Sequence, residues 1–194
     1  PPNAKPQLTM KTEKEKMLAG EYFNPFDKEL SKERLEARKL LHQLNHNAPE
    51  NLQQQKQIIR KLLLNSSKAT FIQPPFYCDY GYNIKAGKGV FFNFNCTLLD
   101  LANIEIGDKT MIGPNVQIYT AVHPTNADER ATLVEKGQPV IIGKNVWIGG
   151  NATICPGVTI GDKSIIGAGS VVTKDIPANV MAAGNPCKVI KELE

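Results

Sequence analysis

The sequence predicts an all-β core, a parallel β-helix of hexapeptide repeats, preceded by a small α-helical segment. Three observations carry this. Ile142, Ile148, Ile154, Ile160, Ile166 and Val172 recur every six residues, and Ile106, Ile112 and Ile118 keep the same register earlier in the chain. Gly143, Gly149, Gly161 and Gly167 directly follow four of the first set, and Gly107 and Gly113 follow two of the second. The fourth residue after each aliphatic is small or branched, as at Thr110, Val146, Ala152, Ser164 and Ser170. A period of six is neither the 3.6 of a helix nor the 2 of a plain strand. It is the period of a short strand and a tight corner, stacked so that the aliphatics form an interior ladder. Short antiparallel strands joined by glycine turns would not hold nine aliphatics in phase. The glycines are expected to supply the backbone angles of the corners.

In chain order, residues 1–11 read as a flexible tail and residues 12–68 as the helical segment. Thr12 with Glu15 has capping-box spacing, and Gly20 provides a stop. Ser31 is expected to cap a second helix with Leu35, Leu40, Leu41 and Leu44 on its apolar side, ended by Pro49. A third helix, about Asn51 to Asn65, places Ile58, Ile59, Leu62 and Leu63 on one face. The β-helix is expected over 69–184. Ile84, Val90 and Cys96 keep the spacing of six but are out of phase with Ile106, which predicts an irregularity near Asp100 to Asn103. A polar loop, 124–139, interrupts the repeat without shifting its register. A loop of this length inside a compact repeat is usually functional. Residues 185–194 read as a basic C-terminal tail.

Composition narrows the function classes. The chain has 194 residues and a net charge of +4, with 41% hydrophobic and 22% charged residues, ordinary values for a globular protein. The modest, dispersed charge gives no case for a nucleic-acid partner, and no apolar run has the length of a membrane span. With no signal-like N-terminus, a cytoplasmic location is expected. Cys78, Cys96, Cys155 and Cys187 are far apart and contain no CxxC pair, which suits free thiols better than a zinc site or disulfide framework.

Three histidines are present, and only His123 lies in the repeat array. It stands at the end of a hexad, beside the loop, where an imidazole can serve as general base or hold a structural bond. His42 and His46 have the i, i+4 spacing of metal ligands but no third ligand in a recognisable arrangement, so no metal is expected. Trp147, the only tryptophan, sits at an outward position and can either wall a tunnel or meet another subunit. On the loop, Glu129 and Arg130 are candidates to contact His123 or close over a substrate.

Several segments together resemble the maltose and galactoside O-acetyltransferases of the hexapeptide-repeat acyltransferase superfamily. They are the stretch from Thr12 to Asn45 and the runs PPFYCDYGYNI (74–84), NFNCTLLD (93–100), YTAVHP (119–124), GKNVWIGG (143–150), GAGSVVTKDIP (167–177) and AAGNPCKVI (183–190). The resemblance implies a left-handed β-helix, a homotrimer with active sites between subunits, and acetyl-CoA as co-substrate with a small sugar as acceptor. His123 matches the catalytic histidine of that family, and Asp79, Asn93 and Asp100 match or adjoin acceptor positions. Where galactoside members carry an acid in the turn after the first helix, this chain has Pro25, which leaves Asp27 as the shifted candidate. Gly113, Gly150, Ala168, Thr173, Lys174, Lys188 and Lys191 match positions contacting acetyl-CoA, and Trp147 matches an indole beside its pantetheine arm. The expected reaction is O-acetylation by direct transfer in a ternary complex. The alternatives are a non-sugar hydroxyl such as serine or an antibiotic, a lipo-oligosaccharide, or a non-catalytic binding β-helix. A zinc-dependent carbonic anhydrase of this fold would need three histidines in the coils.

Overall fold

The computed structural model describes residues 10–194, so the tail expected over 1–11 lies outside the described residues except for its last two. Three helices come first: α1 (Glu13–Leu18), α2 (Lys28–Asn45) and α3 (Leu52–Leu62). The capping box at Thr12 and Glu15 is present. α2 begins earlier than Ser31 because Asp27 caps it, its Oδ1 accepting the N–H groups of Glu29 and Leu30 at 2.9 and 3.2 Å. The extra turn sets a different buried stripe, Leu30, Ala37, Leu41 and Leu44, and leaves Leu35 half exposed.

A three-faced parallel β-helix follows. The first face stacks β1 (Phe71–Ile72), β4 (Phe91–Phe92), β7 (Met111–Ile112), β12 (Trp147–Ile148), β15 (Ile165–Ile166), β17 (Val180–Ala183) and β18 (Lys188–Glu192). The second stacks β2 (Phe76–Cys78), β5 (Cys96–Leu99), β8 (Gln117–Tyr119), β13 (Thr153–Ile154) and β16 (Val171–Val172). The third stacks β3 (Ile84–Ala86), β6 (Ile104–Ile106), β11 (Val140–Ile142) and β14 (Thr159–Ile160). On the first face β4, β7, β12 and β15 each turn one residue into the axis, so that Phe92, Ile112, Ile148 and Ile166 form one fully covered ladder.

The glycines after the aliphatics have a different role from the expected one. Left-handed backbone falls two residues further on, at Lys109, Asn115, Asn145, Asn151, Lys163 and Gly169. Asparagine tolerates that region better than most residues. The glycines themselves lie where one coil presses on the next: a Cβ on Gly149 would stand 2.5 Å from the Ala168 nitrogen, and one on Gly113 would stand 2.7 Å from the Gly150 nitrogen. Close coil-to-coil contact, and not backbone angle, is what excludes side chains there.

The early register also differs in detail. Ala86, Phe92 and Leu98 pair with Ile106, Ile112 and Ile118, so Ile84, Val90 and Cys96 occupy the second inward position of the hexad. The irregularity is an insertion between Leu99 and Asn103, where Asp100 folds into the interior with no exposed surface. Thr120 ties it down, its Oγ1 donating to the Leu99 carbonyl at 2.7 Å and accepting the Ala102 N–H at 3.0 Å.

Two segments read as irregular contain regular structure. The loop 124–139 holds a short helix, α4 (Ala127–Ala131), and returns through β10 (Lys136–Gly137), which pairs antiparallel with β9 (Ala121–Val122). The tail 185–194 contains β18, paired antiparallel with β17, because backbone donors on the last strand of the face still need partners. At the opposite end α2 and α3 cover the first coil. Asn45 accepts the Phe76 N–H and donates to the Phe76 carbonyl, and Gln55 donates to the Ile72 carbonyl. Helix residues Ala37, Leu41, Leu44, Ile58, Ile59, Leu62 and Leu63 join the β-helix core. A second cluster of Met17, Phe23, Leu30, Tyr80 and Leu101 fastens α1 and α2 beside the insertion.

Candidate active site

His123 follows β9, on the edge between the second and third faces, and borders a cleft of about 390 Å³. The cleft is closed by three parts of the chain remote in sequence. Pro25 and Phe26 come from the turn before α2 and Arg34 and Arg38 from its first three turns, Asp79 and Tyr80 follow β2, and Leu133 and Glu135 belong to the returning loop. An antiparallel bridge holds the loop against the N-terminal segment, with the Phe23 N–H donating to the Glu135 carbonyl at 3.0 Å and the Glu135 N–H to the Phe23 carbonyl at 3.2 Å.

The imidazole is half exposed, with Nδ1 3.3 Å from the Val134 carbonyl. A carbonyl oxygen only accepts, so Nδ1 carries the hydrogen and Nε2 is left with the lone pair. Nε2 faces the cleft and lies 3.8 Å from Oε2 of Glu135. Burial pushes the Glu135 carboxyl above its ordinary range, and the neighbouring His123 partly offsets this. Burial likewise raises Asp79, against the pull of the Arg34 and Arg38 guanidiniums. Arg34 is committed to structure, donating to the Tyr80 hydroxyl at 2.7 Å and to the Pro25 carbonyl. Arg38 has no ion-pair partner within 4 Å among the described residues, so its guanidinium is available to a ligand.

The other candidates are distributed as follows. Asp100 is adjacent to the cleft but does not line it. Its two carboxylate oxygens accept the N–H groups of Asp79, Tyr80 and Gly81 at 2.9, 2.9 and 2.7 Å, which makes it the support of the cleft wall. Asp27 is likewise occupied, as the cap of α2. Glu129 lies in the first turn of α4, away from the cleft lining, and Arg130 donates to the Pro124 and Thr125 carbonyls. The carboxylate beside the imidazole is therefore Glu135, not Glu129.

Asn93, Gly113, Gly150 and Ala168 lie on a different edge, between the first and second faces, where successive coils stack directly. Trp147 is 51% exposed on the adjoining first face. Thr173 and Lys174 follow β16, on the same edge as His123 but further along the axis, and Lys188 and Lys191 are exposed on β18. One chain thus separates its proposed cofactor residues between two edges. The rings of His42 and His46 lie 4.3 Å apart, tilted by 38°, at the C-terminal end of α2, and no cluster of three ligating side chains occurs among the described residues. No described helix is long and apolar enough to cross a membrane.

Sequence reasoning missed Glu135, Arg34 and Arg38. The two arginines carried a usable signal, their i, i+4 spacing on one helix face. Glu135 carried none, because only the pairing of β9 with β10 returns it to His123.

The maltose acetyltransferase hexapeptide capping motif matches residues 16–65, and the hexapeptide repeat of succinyl-transferase matches residues 139–174. The galactoside O-acetyltransferase of Escherichia coli K12 is 41% identical over 179 residues, spanning 92% of this chain and 88% of the relative. A maltose O-acetyltransferase from Clostridium difficile 630 superposes with a TM-score of 0.91 at 50% identity, covering 95% of this chain and 98% of its own. A hexapeptide-repeat acetyltransferase from Vibrio cholerae, solved with acetyl coenzyme A, superposes with a TM-score of 0.86 at 35% identity over 95% of this chain and all of its own. A shared capping segment, shared repeats and near-complete coverage at these identities lead to one conclusion: the chain belongs to the maltose and galactoside O-acetyltransferase family of hexapeptide-repeat acyltransferases.

Proposed function

We propose that the protein transfers the acetyl group of acetyl-CoA to a hydroxyl of a small sugar, with His123 as general base. The observation that carries this is the imidazole itself, tied at Nδ1 to the Val134 carbonyl and open at Nε2 to a cleft. Nε2 takes the proton of the acceptor hydroxyl as its oxygen attacks the thioester carbonyl. The C–S bond then breaks, and the proton passes to the coenzyme A sulfur. No cysteine or serine lines the cleft, which favours direct transfer over an acyl-enzyme. The carboxylate of Asp79 and the guanidinium of Arg38 supply the acceptor and donor that a polyol requires.

Acetyl-CoA fits the edge bearing Gly113, Gly150 and Ala168, where a thioester arm can approach the backbone beside Trp147. Thr173, Lys174, Lys188 and Lys191 are the polar and cationic groups proposed for its phosphates. Because Asn93 and those glycines lie on a different edge from His123, the reading calls for sites between subunits of a homotrimer. An apolar surface supports that assembly. The outward residues of the first face pair in an unbroken series, Phe71, Phe91, Met111, Trp147, Ile165 and Met181. The third face instead shows Lys85 and Glu105, ion-paired at 3.0 Å. Light scattering is expected to give three times the chain mass, and a monomeric mass at assay concentration would remove the shared site. In a thiol-release assay with acetyl-CoA, maltosyl, glucosyl or galactosyl acceptors are expected to accelerate release. Faster release with serine or an antibiotic hydroxyl than with any sugar would overturn the acceptor class.

A further inference from the structure

We infer that Glu135 is a positioning residue for His123, its carboxylate providing the countercharge for the imidazolium formed when Nε2 takes the acceptor's proton. This rests on the reading of His123 as the base. In that step the ring gains a full positive charge, and its Nδ1 partner, the Val134 carbonyl, is neutral. Among the described residues, Glu135 is the only carboxylate within 4 Å of a nitrogen of the ring, with Oε2 3.8 Å from Nε2. Its side chain is 16% exposed against 51% for the imidazole, so water reaches the pair mainly from the imidazole side.

Its placement is also fixed by the chain. The Glu135 backbone is bonded in both directions to Phe23, and the next residue, Lys136, pairs with Val122, the residue before His123. Residues 134 and 135 therefore flank the imidazole, a carbonyl at one nitrogen and a carboxylate at the other. The remaining charged and titratable groups facing Glu135 are Asp79 and Tyr80 beyond β2, and Arg34 and Arg38 on α2. Arg34 is engaged by Tyr80 and Pro25, and neither arginine lies within ion-pair distance of Glu135. The gap of 3.8 Å exceeds a hydrogen bond in the resting state. It closes to one when Nε2 acquires its proton, and the bond is released as that proton moves to the departing sulfur. Glu135 remains ionised throughout, so the proton balance is that of the transfer alone.

The test compares Glu135→Gln, Glu135→Asp and His123→Ala by the pH dependence of kcat/KM, with acetyl-CoA affinity from titration. Glu135→Gln is expected to lower kcat by about tenfold or more, since a nearby opposite charge favours the protonated ring. For the same reason the acid limb of the profile moves to lower pH, while the acetyl-CoA Kd stays unchanged. Glu135→Asp, with the charge kept but drawn back by one methylene, should recover part of kcat and part of the limb. If His123→Ala is inactive but Glu135→Gln keeps the wild-type kcat and acid limb, the inference is overturned and the base remains. If His123→Ala retains full activity, the base reading itself fails. Should Glu135→Gln not fold, Glu135→Asp decides: an intermediate kcat supports the countercharge and a wild-type profile overturns it.

Discussion

Replacing His123 with alanine is expected to lower turnover by about 10²–10⁴-fold, the contribution typical of a positioned general base. A sugar hydroxyl is a weak nucleophile near neutral pH, and His123 brings to the cleft an imidazole whose Nδ1 is tied to the Val134 carbonyl, which fixes the direction of Nε2. The residual rate would come from holding the two substrates together. The side chain is half exposed and belongs to neither core cluster, so the loss of activity should not bring a large loss of stability. The discriminating measurement pairs single-turnover acetyl transfer with acetyl-CoA titration. A collapse of the first with an unchanged second is the expected pattern, and an unchanged rate would remove His123 from the mechanism.

Asp100→Ala should have the largest effect on the fold, about 3 kcal/mol or more of stability, because three buried donors lose their acceptor at once and each unsatisfied group costs about 1–3 kcal/mol. The N–H groups concerned belong to Asp79, Tyr80 and Gly81. The same segment is constrained from the other side: Gly81 has a φ of +82°, and a Cβ there would stand 2.4 Å from the Leu62 carbonyl oxygen. Tyr80 in turn accepts the Arg34 guanidinium, so relaxation of the turn would move the cleft wall and raise the acceptor KM even in molecules that remain folded. Burial pushes the Asp100 carboxyl up to about 7, with the three N–H donors only partly offsetting it. A folded-state value above the unfolded one means that this group's contribution is fully present below the ordinary carboxylate range. It is lost as the pH rises through about 7. The stability gap between wild type and Asp100→Ala in chemical denaturation should therefore be wider at about pH 5 than at about pH 8. A variant as stable as wild type, or a gap that widens with pH, would contradict this account of Asp100.

The fold was legible because its signal is local. A six-residue period records the strand and corner geometry of every coil, and the same period delivers His123 to an edge and Gly113, Gly150 and Ala168 to a column. The capping box of α1 and the buried residues of α3 were readable for the same reason. What each glycine does was not readable, since the atoms that exclude a side chain at Gly149 belong to Ala168 on the next coil.

The cleft shows the same division more sharply. Sequence alone determined the repeat, its interruption at the loop, the catalytic candidate and the family resemblance, all of which follow from short-range spacing and residue type. Only the tertiary structure decided that Asp100 supports the wall, that Asp27 caps a helix, and that Glu135 and not Glu129 meets the imidazole. It also decided that Arg34 and Arg38 join them. Those placements depend on which backbone donors are left unpaired and which strands meet, Phe23 with Glu135 and Val122 with Lys136. Contacts of that kind are settled by hydrogen bonding and packing across the whole chain, and no spacing along it encodes them.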